Sequence, residues 1–164
     1  MSPSQQSFLK MAAHPLKFRM YLLYKLPAAF FSGVKIREIN AERCVASVPY
    51  KWLTQNPFRS TYFASLAMAA EMSTGLLASG NVHQRVPAIS MLVTKMEAQY
   101  FKKATGTTWF TCENGREMTE TIDEAIATGD PKKIIAKSIG RDKNGTPIAE
   151  FLFTWSFRAK QAKP

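Results

Sequence analysis

Residues 61–80, TYFASLAMAAEMSTGLLASG, hold a single charge, Glu71, in a run otherwise made of small, apolar and hydroxyl side chains. The residues are helix formers, no proline interrupts them, and Gly80-Asn81 supplies a stop signal of the kind that ends helices. The pattern predicts a helix over 61–80. A helix apolar on every side is either the centre of a domain or a membrane span, and about twenty residues are what a bilayer crossing takes. Ser65, Ser73, Thr74 and Ser79 dilute the stretch, and an acid sits at its middle. An acid at that depth in a bilayer costs about 3 kcal/mol. The expectation is a helix buried inside a soluble domain, with the rest of the chain as its shell.

Glu71 is then the residue to explain. Ala67, Met68, Thr74 and Gly75 lie one turn to either side, so its own helical face offers no Lys or Arg. Desolvation raises the pKa of such a carboxylate unless a polar group meets it from another element. Two readings stand from chemistry alone: a structural acid bonded to amides or to an arginine elsewhere, and a catalytic base.

At 164 residues, with 46% hydrophobic and 21% charged side chains, the chain suits one globular domain with a real core, and a disordered or fibrous class is excluded. The net charge of +10 favours acidic partners, among them nucleic acid, anionic lipid and the phosphates of coenzyme A. It is unevenly spread: residues 1–60 hold nine Lys/Arg against two acids, and residues 113–130 hold six acids against Arg116 alone. Cys44 and Cys112 are far apart and in no zinc or redox motif, which predicts two plain core thiols in a reducing compartment. The apolar run over 20–26 is broken by Lys25 and lacks a small-residue cleavage site, so a cytoplasmic protein is expected.

Taken in order, residues 5–25 alternate bulky apolar groups with Lys10, Lys17, Arg19 and Lys25, and Pro15 splits the pattern. Two short helices or one kinked helix are expected, packed on the domain by their apolar side while the lysines stay solvated. Residues 1–26 would form a helical extension, and residues 27–160 the domain, entered through an apolar linker over 26–31. Strands are expected over 33–39 and 43–50, joined at Asn40-Ala41-Glu42, then a loop over 51–60 carrying Asn56-Pro57. After the long helix come a polar loop over 81–86 and strands over 88–101 and 107–113, joined by a turn over 102–106. A short surface helix is expected over 117–128, then strands over 132–141 and 147–158 around an Asp142–Gly145 hairpin turn. Phe151, Phe153, Trp155 and Phe157 share one face of the last strand, which must cover the long helix or an oligomer interface. The tail over 159–164 is expected to be loose.

One antiparallel sheet wrapped around one long central helix is the economical α+β solution. It resembles the hotdog fold over nearly the whole chain from about Pro27 onward. Residues 56–75, NPFRSTYFASLAMAAEMSTG, are similar to a stretch of hotdog acyl-CoA thioesterases of the phenylacetyl-CoA type. There an Asn in the loop precedes His-Gly-Gly at the helix start, and an Asp or Glu follows in the helix. Laid on that pattern, Asn56 falls on the Asn, Glu71 on the catalytic acid and Gly75 on a small residue beyond it. Tyr62 stands where the His would be and Phe63-Ala64 where the Gly-Gly would be. The second half of the chain also resembles the uncharacterised thioesterase-like branch of the superfamily.

The resemblance implies hydrolysis of an acyl thioester on coenzyme A or a carrier protein, with no cofactor and no metal. Glu71 would act as base or nucleophile, and Asn56 would orient the water or the carbonyl. Amides near Phe63 and Ala64 would hold the oxyanion at the positive end of the helix, with Tyr62 and Gly75 beside the substrate. Arg59, Arg85, Lys102 and Lys103 are the candidates for coenzyme A phosphates. Dehydratases of the same fold need a histidine beside the acid, and His14 and His83 lie outside the motif. A homo-oligomer, dimer or tetramer, is implied, with the ligand cleft between subunits. Two other readings are carried forward: a hotdog protein that binds acyl ligands without cleaving them, and a basic binder of membrane surfaces or nucleic acid, which rests on charge alone and has no specific nucleic-acid motif behind it.

Overall fold

The computed structural model describes residues 2–160. The chain opens with helices α1 (Pro3–Ala13), α2 (Pro15–Lys25) and α3 (Pro27–Ser32). Each starts with proline in its first turn, where the missing N–H would have had no intrahelical partner. His14 separates the first two, and its Nδ1 accepts from the Lys17 N–H at 3.5 Å. The apolar linker expected over 26–31 is therefore largely helix α3. Pro27 presets its first turn, and Ala and Phe continue it without a breaker.

Strands β1 (Lys35–Ile39) and β2 (Cys44–Val48) form the expected hairpin, and a single 3-10 turn at Trp52–Thr54 leads to α4 (Phe63–Val82). There follow β3 (Ile89–Tyr100), β4 (Thr108–Cys112), α5 (Gly115–Thr128), β5 (Lys132–Arg141) and β6 (Pro147–Ala159). All six strands pair antiparallel in the order β1-β2-β4-β5-β6-β3. Consecutive strands β3 and β4 are thus not neighbours; the segment between them crosses to the far side of β5 and β6. The β5–β6 hairpin turns as expected, where Asp142 Oδ1 accepts from the Asn144 and Thr146 amides, each at 2.9 Å. Of the tail expected to be loose, Ala159 closes β6 against Ile89, and residues 161–164 lie outside the described residues.

The sheet curls around α4, which packs on β2, β4 and β5 and is capped by α5. Phe151, Phe153, Trp155 and Phe157 are all at most 4% exposed, so their row faces the helix within the chain and no oligomer is needed to cover it. Trp155 Nε1 donates to Thr74 Oγ1 on α4 at 3.1 Å, which ties the sheet to the helix through the indole. Among the described residues, no helix is long and apolar enough to cross a membrane.

Strand β3 carries a bulge between Val93 and Lys95. Met91 and Val93 lie opposite Phe157 and Trp155, whereas beyond the bulge Met96 and Ala98 lie opposite Phe153 and Phe151. The inward residues thus switch from odd to even numbers. One extra residue keeps the apolar side of β3 on the helix-facing surface along its whole length.

The long helix differs from expectation at both ends. Thr61 belongs to an isolated bridge with Gln55 and its N–H donates to the Ala104 carbonyl at 2.8 Å, so the helix begins at Phe63. Gly80 and Asn81 do not stop it. Gly80 lets α1 approach closely, since a Cβ there would lie 3.4 Å from the Phe8 ring. Asn81 is buried, and its Oδ1 accepts from Gln5 Nε2 of α1 at 3.1 Å and from Thr119 Oγ1 of α5 at 2.7 Å. A tertiary network of this kind overrides the local preference for a helix end. Cys44 and Cys112, remote in sequence, are register partners on β2 and β4. Both thiols are free and buried; burial pushes Cys44 far up and Cys112 to about 11.

Asn81→Ala would leave the buried Gln5 amide without its acceptor, while the Thr119 hydroxyl keeps the Gly115 carbonyl at 3.0 Å, at a cost of about 1–3 kcal/mol. Urea denaturation of the variant measures it, and an unchanged midpoint contradicts a structural role for this network.

Candidate functional site

Most of α4 is enclosed, but Ala64, Ala67, Met68, Glu71 and Ser79 form a half-buried stripe that the sheet does not cover. Glu71 lies close to Trp155 of β6. The point that a Cβ on Gly75 would occupy is 2.6 Å from Glu71 Oε1 and 3.4 Å from Trp155 Cζ2. The carboxylate thus folds back along its own helix into the space that glycine leaves, beside the indole. Any side chain at 75 would displace it.

Among the described residues, Glu71 stands in no ion pair, and its carboxylate accepts no hydrogen bond. Its backbone carbonyl accepts from Thr74 Oγ1 at 3.0 Å. The only fully buried side-chain N or O atom without a hydrogen-bond partner among the described residues is Arg43 Nε, which lies 3.4 Å from Glu113, so the Glu71 oxygens keep contact with solvent. Burial without compensation pushes the Glu71 carboxyl above its usual range. The acid is neither neutralised by a cation nor sealed in the core.

A second focus lies at the start of α4. A cavity of about 550 Å³ is lined by Asn56, Tyr62, Phe63, Tyr100, Lys102 and Lys103, among others. The Phe63 and Ala64 amides open α4, where no acceptor within the helix can reach them, and among the described residues no side chain caps them. The Ser65 N–H is already taken by the Tyr62 carbonyl at 2.9 Å. Asn56 is engaged within its own turn: its Oδ1 accepts from the Phe58 and Ser60 amides at 2.9 and 3.2 Å, and its Nδ2 donates to Ser60 Oγ at 3.1 Å. Tyr62 and Phe63 stack edge to face at the mouth, with ring centroids 4.8 Å apart.

The anticipated phosphate binders separate. Lys102 and Lys103 line the mouth cavity, and Lys102 Nζ also lies 3.7 Å from Asp142 Oδ2. Arg59 is an exposed loop residue in the adjoining turn, its N–H donating to the Asn56 carbonyl at 3.2 Å. Arg85 lies beyond the other end of α4, paired with Asp123 at 2.7 Å and donating to the Asn81 carbonyl. That is about 30 Å from the mouth at about 1.5 Å per helical residue. His83 closes α4 with its ring 5.3 Å from Phe8. Among the described residues, no group of three or more His, Cys, Asp or Glu side chains is arranged to hold a metal ion. Tyr100, which sequence reasoning did not single out, joins the cavity through an edge-to-face contact with Phe151 at 5.6 Å. Its place on the Phe151 side of the sheet, where it stays half exposed, follows from the β3 bulge, and the break in the strand's alternation was the available signal.

The family model described as "Domain of unknown function (DUF4442)" matches residues 17–156. The chain belongs to the DUF4442 family. No curated protein matches it in sequence. Among solved structures it is similar to a Pseudomonas aeruginosa protein of unknown function described as a probable thioesterase, at 17% identity and a TM-score of 0.75, covering 90% of this chain and 97% of that one. A Chlorobaculum tepidum protein of unknown function aligns at 15% identity and a TM-score of 0.73, over 91% and 99% of the two chains. A Haemophilus influenzae thioesterase aligns at 10% and 0.62, over 89% and 91%. At these identities the likeness establishes fold, and the fold is the α+β hotdog.

A folded pKa raised above the unfolded value means that the native state holds the Glu71 proton longer, so stability falls as pH rises from the ordinary carboxylate range through the raised value. Glu71→Gln should therefore melt higher than the parent at neutral pH, the gap closing as pH drops into the ordinary carboxylate range. Thermal melts across pH check this, and a pH-independent gap rules out the unpaired acid as its source.

Proposed function

We propose that this protein hydrolyses acyl thioesters, carried on coenzyme A or on an acyl carrier, with Glu71 as the general base or nucleophile. The observation that carries this reading is an uncompensated, half-buried carboxyl on the open stripe of the central helix, its pKa raised by burial. A carboxylate with a raised pKa is a stronger base, suited to taking a proton from water near neutral pH. The Phe63 and Ala64 amides offer two donors at the positive end of α4 for the charge that grows on the carbonyl oxygen. Names borne by the fold's relatives in Pseudomonas aeruginosa and Haemophilus influenzae point the same way.

The spacing favours a site built from two copies. Phe63 and Glu71 are eight residues apart on one helix, about 12 Å along its axis at about 1.5 Å per residue. A reacting carbonyl needs its oxyanion donors and its attacking group each within about 3 Å. A site in which Glu71 of one copy works with the Phe63 and Ala64 amides of a second would remove that separation of about 12 Å. Among the described residues strand β3 pairs only with β6 and leaves its outer edge free, and two such edges related by a twofold axis are self-complementary. Asn56 serves here by holding the mouth loop, and Lys102 and Lys103 by attracting phosphate. A cytoplasmic setting is part of the same proposal.

A second reading, acyl-ligand binding without hydrolysis, is favoured by the Phe63 ring, 53% exposed at the mouth where a glycine would allow closer approach of substrate. Two variants separate the two readings. Glu71→Gln should lower thiol release from acyl-CoA at least about a hundredfold if the acid is the base. Phe63→Pro deletes one amide donor at the first helical position, where proline is tolerated, and Tyr62 at φ −61 and ψ 135 already has the backbone that a residue before proline prefers. Relative to Phe63→Ala, it should lose about a further hundredfold. Background rates for the parent and both variants favour the binding reading. Light scattering should give a mass twice the 18.4 kDa of one chain, and a monomer would contradict the two-copy site.

A further inference from the structure

Helix α2 is apolar on two sides. Phe18 and Leu22 are buried in the domain. Leu16, Met20 and Tyr24, successive residues four apart, face the opposite way and are 68, 45 and 77% exposed. The expected packing of the N-terminal segment on the domain is thus real, and it leaves a second apolar stripe uncovered. Phe31 at the end of α3 and Trp52 on the 3-10 turn that α3 touches are exposed as well.

The segment that carries this stripe is cationic. Residues 1–37 contain six Lys/Arg and no acid. Lys17 and Lys25 are exposed on α2 itself. Leu16 also forms part of the wall of a cleft of about 820 Å³, where Arg19, Lys35, Arg37 and Lys51 stand around an apolar floor. Among the described residues none of these four stands in an ion pair. Arg19 lies 4.0 Å over the Phe30 ring, which holds the guanidinium in place without neutralising it.

We propose that α2 and the neighbouring end of α3 seat this protein on the surface of an anionic phospholipid bilayer. Leu16, Met20 and Tyr24 enter the boundary between headgroups and acyl chains, and the cationic cleft beside Leu16 takes lipid phosphate. Charge and side-chain type select this occupant. A second copy would set the same cationic segment against itself, and like charges at an interface repel. Nucleic acid would meet the cations but make no use of the aliphatic Leu16 and Met20. An anionic bilayer offers an apolar layer and phosphates at the same depth. The inference is independent of thioester chemistry.

Flotation of the full chain with vesicles of phosphatidylcholine alone, and of phosphatidylcholine with phosphatidylglycerol at about three to one, tests it. Binding is expected to the anionic vesicles only and to fall as salt is raised. Met20→Ser with Tyr24→Ser, and separately Lys17→Glu with Lys25→Glu, should each weaken binding about tenfold or more while the melting temperature is kept. No binding to anionic vesicles overturns the proposal, as does equal binding by the parent and both variants. It is also overturned if the Met20/Tyr24 variant turns a dimer into a monomer in light scattering, because the stripe would then be covered by a second copy. No thioester is present, so the outcome stands apart from any test of hydrolysis.

Discussion

The structure depends on covering a helix that has almost nothing to offer water. Three of the buried polar groups on α4 show how completely that is done. Ser73 Oγ is 2.7 Å from Ser138 Oγ on β5, Thr74 Oγ1 receives the Trp155 indole N–H, and Asn81 is held by Gln5 and Thr119. Each is met by a different element, so these contacts fix the helix in rotation and depth as well as burying it. Against that background the unmet carboxylate of Glu71 stands apart, and its position on the open stripe separates it from the polar groups that serve the fold.

Much of this was legible in the sequence because it follows from short-range rules. A single charge in twenty residues, the aromatic row of β6 and the Asp142–Gly145 turn are local patterns, and each led to the element observed. What escaped depended on contacts across the chain. Gly80-Asn81 reads as a helix stop until Phe8 and Gln5 of α1 are brought against it. The apolar segment after Leu26 has no periodicity long enough to declare a helix, yet folds as one behind Pro27. The non-adjacency of β3 and β4 leaves no trace in either strand, since a seven-residue connection suits a hairpin as well as a crossing. At the candidate site, composition picked out Glu71, but the separation of Arg85 from Lys102 and Lys103 appears only when the length of α4 lies between them.

Charge is also partitioned by the fold. The acids of residues 113–130 lie largely on the outer side of α5, while the acid-free N-terminal segment forms the surface around α2. The two ends of the electrostatic spectrum are therefore carried by separate helices on one small domain. A molecule of this kind has an electrical orientation as well as a net charge, and it approaches a charged surface with one side first.

The glycine at position 75 has a consequence beyond this chain. Because Glu71 Oε1 lies 2.6 Å from where a Cβ would be, even alanine at that place would force the acid into a different rotamer. The pair of positions is therefore a gauge for the family. Members with an acid at the first and glycine at the second can fold the carboxylate back beside the indole. A larger residue at the second would direct the acid elsewhere.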